Sequence, residues 1–141
     1  MVTLNKYAAE ILQKFQVHAC TDVTGFGFLG HLHEMMDGKL SCRIDSLNVP
    51  YIEEARLYAN EFLLTAAGQR NRNHVGGHVR FNNIPFAMEE ILFDPQTSGG
   101  LLAAVDTADA KKLLEELKKA GLPADIVGEI VPKEDTEILV F

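Results

Sequence analysis

The residues best placed to do chemistry lie in His18-Ala19-Cys20-Thr21-Asp22-Val23-Thr24-Gly25-Phe26-Gly27. A short strand turns through Gly25 and Gly27 into a helix, with the carboxylate of Asp22 at the turn and Thr21 and Thr24 on either side. The first N–H groups of a helix have no intrahelical partner, and the helix dipole favours negative charge there, so the turn suits an anion. Gly25 and Gly27 would let a phosphate come close to the backbone. Asp22 would repel that phosphate unless a cation lay between them. Magnesium takes one or two carboxylates together with phosphate oxygens and water, which makes Asp22 a candidate ligand. Simple helix capping by Asp22 or Thr24 accounts for the same residues equally well.

A second glycine turn, Asp94-Pro95-Gln96-Thr97-Ser98-Gly99-Gly100, has a similar makeup. Thr97 and Ser98 supply hydroxyls for a phosphate or a metal-bound water, and Gly99 adds backbone freedom. Composition alone favours a plain helix-to-strand connection in which Asp94 forms an Asx-turn. Gly25-x-Gly27-x-x-Gly30 also satisfies the dinucleotide-binding pattern, and Asp45 lies near the ~20-residue offset of a ribose-binding acid. In that fold the preceding strand is apolar, whereas here it reads Thr21-Asp22-Val23-Thr24. No Gly-Lys-Ser/Thr follows, so a P-loop is excluded.

Other reactive side chains look structural. His31 and His33 point to different sides of a helix and read as surface or partly buried histidines. His74 and His78 have i, i+4 spacing without a certain helix to carry it. Cys20 has no base in reach and reads as a buried thiol. Arg70, Arg72, His74 and Arg80 form the one basic cluster, which reads as a solvated loop able to steer an anion.

These residues need strands and helices to hold them. Thr3 is a candidate N-cap for a helix with Leu4, Tyr7, Ala8, Ile11, Leu12 and Phe15 on one face. A strand over 17–23 leads into the first turn. Leu29, Leu32, Met35 and Met36 mark the next helix, which Asp37-Gly38 stops. A short strand over 40–44 precedes a helix that starts near Pro50, with Ile52, Ala55, Ala59, Phe62 and Leu63 as its apolar side. Residues 66–83 read mostly as loop. A helix over 85–93 and an apolar strand over 100–105 flank the second turn. Thr107 caps an amphipathic helix that Gly121 and Pro123 end. Strands over 125–131 and 137–141 share a short connection, which predicts an antiparallel pair. The alternation predicts an α+β fold, an α/β sandwich with a mixed sheet covered by helices, as a single domain over 1–141.

Bulk properties narrow the partners. The 141 residues suffice for one domain with a real core, and hydrophobic residues make up 47%. A net charge of −7 argues against nucleic acid and anionic membrane surfaces as partners. No apolar run approaches the ~20 residues of a membrane span. Asn5, Lys6 and Glu10 break any signal-peptide pattern. Cys20 and Cys42 make no disulfide framework, as expected of a cytoplasmic protein.

The stretch His18–Gly27, together with Phe93-Asp94-Pro95-Gln96-Thr97-Ser98-Gly99-Gly100-Leu101-Leu102, resembles the two signature stretches of the C-terminal domain of selenophosphate synthetase (selenide, water dikinase). The likeness extends over essentially the whole chain, and more distantly to the aminoimidazole ribonucleotide synthetase superfamily that shares the domain. It implies an ATP- and Mg2+-dependent enzyme of selenocysteine biosynthesis that turns selenide, ATP and water into selenophosphate, AMP and phosphate. Asp22 would be a magnesium ligand, with Thr21, Thr24, Gly25, Gly27, Thr97, Ser98 and Gly99 on the phosphate and nucleotide side. The catalytic Cys or selenocysteine, the catalytic lysine and the remaining metal-binding aspartates would belong to an N-terminal domain, leaving no catalytic residue in this chain. The full-length enzyme would be a homodimer, and the chain alone inactive. Met1 directly before a helix suits an internal boundary. Phe28 replaces a common leucine of the family, and Gly68-Gln69-Arg70 replaces a Gly-Gly-Thr before Arg72-Asn73. A stand-alone nucleotide-binding or regulatory module and a Rossmann-like dinucleotide binder are the alternatives.

Overall fold

The computed structural model describes residues 3–141, so the boundary reading of Met1 lies outside the described residues. In chain order the elements are α1 (Asn5–Leu12), β1 (Val17–Asp22), α2 (Gly27–Met36), β2 (Leu40–Ile44), α3 (Glu53–Asn60), α4 (Ala66–Val75), β3 (Val79–Phe81), α5 (Phe86–Phe93), β4 (Leu101–Val105), α6 (Thr107–Lys119), β5 (Gly128–Pro132) and β6 (Ile138–Val140). The α+β class expected from the alternation is the one observed.

The strands form two sheets. β1 pairs antiparallel with β4, with Asp22 opposite Leu101 and Thr21 opposite Leu102. The larger sheet has the order β3-β6-β2-β5. β2 runs antiparallel to β5 and parallel to β6, and β3 runs parallel to β6, so this sheet is mixed. The expected antiparallel pair of the last two strands is therefore wrong. β2 lies between them, and Cys42, its middle residue, pairs with both Ile130 and Ile138.

The apolar spacing of α2 explains its burial. Leu29, Leu32 and Met36 face a core shared with Cys42 and Ile44 of β2, Leu92 and Phe93 of α5, and Ile138 and Val140 of β6. Its helix ends where expected: Asp37 and Gly38 adopt φ of 49° and 65°, the left-handed region that closes helices. Among the described residues no helix is long and apolar enough to cross a membrane.

Several local expectations are corrected. The N-cap of α1 is Leu4, which makes no side-chain cap, rather than Thr3. The N-cap of α6 is Asp106, whose carboxylate accepts from the Ala108 N–H at 2.9 Å, one residue before Thr107. Residues 66–75 are helical and not loop: the Thr65 hydroxyl accepts from the Gly68 N–H at 2.9 Å and starts α4. The apolar side of α3 is mostly not core. Ala59 is buried against the fold, while Ile52, Phe62 and Leu63 are exposed.

Candidate functional site

β1 alternates half-buried and exposed residues and delivers Asp22, its last residue, to the exposed side. The antiparallel register with β4 brings the second glycine turn directly beside the first. The Val23 N–H donates to Gly100 O at 3.0 Å, the Gly99 N–H to Val23 O at 3.1 Å, and the Gln96 N–H to Thr24 O at 2.9 Å. Two turns more than 70 residues apart in sequence thus form one backbone-linked unit.

Two glycines let them interlock. Gly27 has φ +69°, and a Cβ there would sit 2.6 Å from the Phe93 carbonyl oxygen. A Cβ on Gly99 would sit 2.6 Å from the Val23 carbonyl oxygen. Gly25 has nothing within 4 Å and is the glycine that keeps a backbone face open. The freedom read at Gly27 as room for phosphate is therefore taken up by turn-to-turn packing. Asn71 of α4 reinforces the joint. Its buried side-chain amide donates to Gly25 O at 3.0 Å and to Phe93 O at 2.9 Å.

An open groove of about 270 Å³ lies along this joint, lined by Thr3, Leu4, Asn5, Asp22, Val23, Thr24, Ser98 and Gly99. It gathers four of the sequence candidates, Asp22, Thr24, Ser98 and Gly99. Thr21, Gly25, Gly27 and Thr97 are not in its lining. Thr21 donates its hydroxyl to Asp22 O at 3.2 Å, and Thr97 is exposed on the second turn.

The Asp22 carboxylate is exposed, and among the described residues it takes part in none of the ion pairs. The capping alternative also fails. α2 starts at Phe26 without a side-chain cap, and the Thr24 hydroxyl is instead hydrogen-bonded to His31 Nε2 at 3.2 Å. The groove thus offers oxygen donors from the Asp22 carboxylate and the Thr24 and Ser98 hydroxyls. That set suits a hard cation such as magnesium, with water completing the coordination. Ser98 has φ 57°, an uncommon conformation for a residue with a side chain, held by the linked turns.

Other candidates fall away. Asp94 forms no Asx-turn with the second turn, since its carboxylate accepts from the Thr65 hydroxyl at 2.7 Å. Asp45 accepts from the Leu47 N–H at 3.0 Å and the Asn48 side-chain amide at 3.2 Å, capping a short 3-10 turn. β1 and β2 lie in different sheets, so no parallel strand–helix–strand unit surrounds the Gly-x-Gly-x-x-Gly stretch, and the Rossmann-like alternative is overturned. Arg72 is engaged within the fold and not solvated as a free loop cation. It pairs with Glu89 at 3.0 Å and Glu90 at 2.6 Å and lies over the Phe93 ring. Cys20 is exposed and not buried. Partial burial and the neighbouring Asp22 raise its pKa, so it remains a poor nucleophile. His31 is buried, clamped between Thr24 and Glu34.

Sequence reading missed Asn71 and a second polar cluster. Asn71 carries no sequence signal, because α4 has a weak apolar stripe and is started by the Thr65 cap. The second cluster gathers His33 of α2, His78 from the 3-10 turn Gly76–His78, and Glu137 just before β6. Glu137 is only 5% exposed; its carboxylate contacts His33 Nδ1 and accepts from Lys133 Nζ at 2.9 Å. Burial alone would raise the Glu137 pKa, but hydrogen bonds from His33 and Lys133 hold it below its ordinary value.

Comparison with known proteins agrees with the motifs. The family model "AIR synthase related protein, C-terminal domain" matches residues 1–141. A selenide, water dikinase of Agathobacter rectalis is 60% identical over 141 residues, and one of Desulfitobacterium hafniense is 46% identical over 140. One of Aliarcobacter butzleri is 33% identical over 142 residues. Each match covers 99% of this chain and 41% of that protein, so the chain spans about two fifths of the length of these relatives. By its turns, its fold and this full-length match, the chain belongs to the family of AIR synthase related protein C-terminal domains.

Proposed function

We propose that the chain is the C-terminal part of a selenide, water dikinase and supplies one wall of its Mg-ATP site. The reading rests on one observation above all: an exposed carboxylate, Asp22, joined by no ion pair among the described residues, in a groove lined by the two turns that carry the family likeness. The enzyme makes selenophosphate, AMP and phosphate from selenide, ATP and water, in the cytoplasm and as a homodimer.

Phosphoryl transfer needs cations and donors around the transferring oxygens. Asp22 would hold magnesium, which when bound neutralises phosphate charge. The Thr24 and Ser98 hydroxyls and the open backbone at Gly25 would orient phosphate oxygens or the ion's water. Thr21 and Thr97 flank this surface, while Gly27 and Gly99 hold its shape. One carboxylate is too few for a metal-bridged triphosphate. The other metal-binding aspartates, the Cys or selenocysteine nucleophile and the lysine belong to the N-terminal domain, and this chain alone is inactive.

Calorimetry with Mg-ATP on this chain alone is expected to show weak or no binding. Tight binding that survives Asp22→Asn would overturn the metal assignment and favour a stand-alone nucleotide module.

A further inference from the structure

We infer that His33, His78 and Glu137 form a binding site for a first-row divalent ion of the zinc class, separate from the groove at Asp22. Their ligand atoms all lie within 4.8 Å of one another. With metal–ligand bonds near 2.0–2.1 Å, tetrahedral ligands stand roughly 3.4 Å apart, so closure needs a shift of about an ångström. Two imidazoles and one carboxylate suit zinc, cobalt or nickel and do not suit magnesium.

The backbone prepares this geometry. Val79 of β3 pairs with Ile138 of β6 in parallel register. His78 and Glu137 each stand one residue before those partners, so they emerge side by side from the same end of adjacent strands. The Cys42 N–H donates to Glu137 O at 2.8 Å and fixes its backbone. His33 comes from α2, whose neighbouring Leu32 and Met36 are locked in the core. The His33 and His78 rings lie 4.4 Å apart between centroids, which brings two imidazoles to the same side of the Glu137 carboxylate.

Lys133 is the group that must yield. Its ammonium lies 2.9 Å from Glu137 Oε2, and its side chain is 42% exposed and able to swing into solvent. Glu137 keeps a positive partner in either state, as a buried carboxylate requires. Three protein ligands leave a fourth position for water or an incoming ligand.

The test is titration of the chelator-stripped chain with Zn2+ alone, read by calorimetry and by the thermal midpoint. The expected result is one ion per chain, a raised midpoint, and no competition from millimolar Mg2+. His78→Ala, at a half-exposed position that should leave the fold intact, should weaken binding by about 10-fold or more. Lys133→Ala should tighten it severalfold, because the competing ammonium is gone. Asp22→Asn and His74→Ala should bind as the parent does. Absence of stoichiometric zinc at micromolar concentration, or unchanged affinity in His78→Ala, overturns the proposal. So does loss of binding in Asp22→Asn.

Discussion

Two carboxylates, Asp22 and Glu137, show how placement decides availability. Asp22 ends an edge strand, faces an open groove, and is joined by no ion pair among the described residues. Glu137 is buried and contacted by His33 and Lys133. Removing the Asp22 carboxylate breaks no ion pair among the described residues, whereas removing the Glu137 charge strands its partners. Donor type differs as well. Oxygens surround Asp22 and imidazoles surround Glu137, so the two regions suit metals of different hardness.

The sharpest way to break this contrast is to separate the turns that hold Asp22. Gly27→Ala forces a Cβ to 2.6 Å from a backbone carbonyl at φ +69° and should cost about 2–4 kcal/mol in chemical denaturation. Gly25→Ala meets nothing within 4 Å and should change stability by no more than about 0.5 kcal/mol. In the longer enzyme it should nonetheless lower activity, because Gly25 presents the open backbone. Equal destabilisation by both substitutions would contradict the division of roles.

A smaller loss is expected at Asn71. Asn71→Ala leaves the Gly25 and Phe93 carbonyls without their side-chain donor, which should cost about 1–3 kcal/mol. A change near zero would mean that the backbone bonds alone hold the turns together.

The smallest effect at neutral pH belongs to Cys42, beside Glu137. Burial first, and then the Glu137 charge, push its thiol up to about 12. Below about pH 8.5 the thiol is protonated whether the chain is folded or not, and it adds no pH dependence. Above that, the unfolded chain loses its proton first, so stability should fall by up to about 1.4 kcal/mol per pH unit until the folded value is reached. Cys42→Ala should flatten this alkaline slope in denaturation curves taken from pH 8 to 11. An unchanged slope would rule out Cys42 as its source.

Much of the candidate site is legible in the sequence because it is local. The turn residues from Asp22 to Gly27 and from Asp94 to Gly100 announce themselves by type, and the 3.6-residue periodicity of Leu29, Leu32 and Met36 marks α2 as a core helix. What was missed depends on partners distant in sequence. β2 inserts between β5 and β6, which a short connection between those strands cannot reveal. α4 has a weak apolar stripe and is held by Thr65, and by Gln69 and Arg72 reaching Glu90. The side of α3 bearing Ile52, Phe62 and Leu63 has helical spacing, but spacing does not say whether anything covers it. His33, His78 and Glu137 meet only through the β3–β6 register.

Asp22 is proposed to hold magnesium on one wall of a shared site. The most direct test is selenophosphate formation by the longer polypeptide carrying Asp22→Asn, followed across a magnesium titration alongside thermal unfolding. A loss of at least about 100-fold is expected at saturating ATP, from lost stabilisation of phosphate charge, with an unfolding midpoint equal to that of the parent. Parent-like turnover with the same magnesium dependence would contradict it.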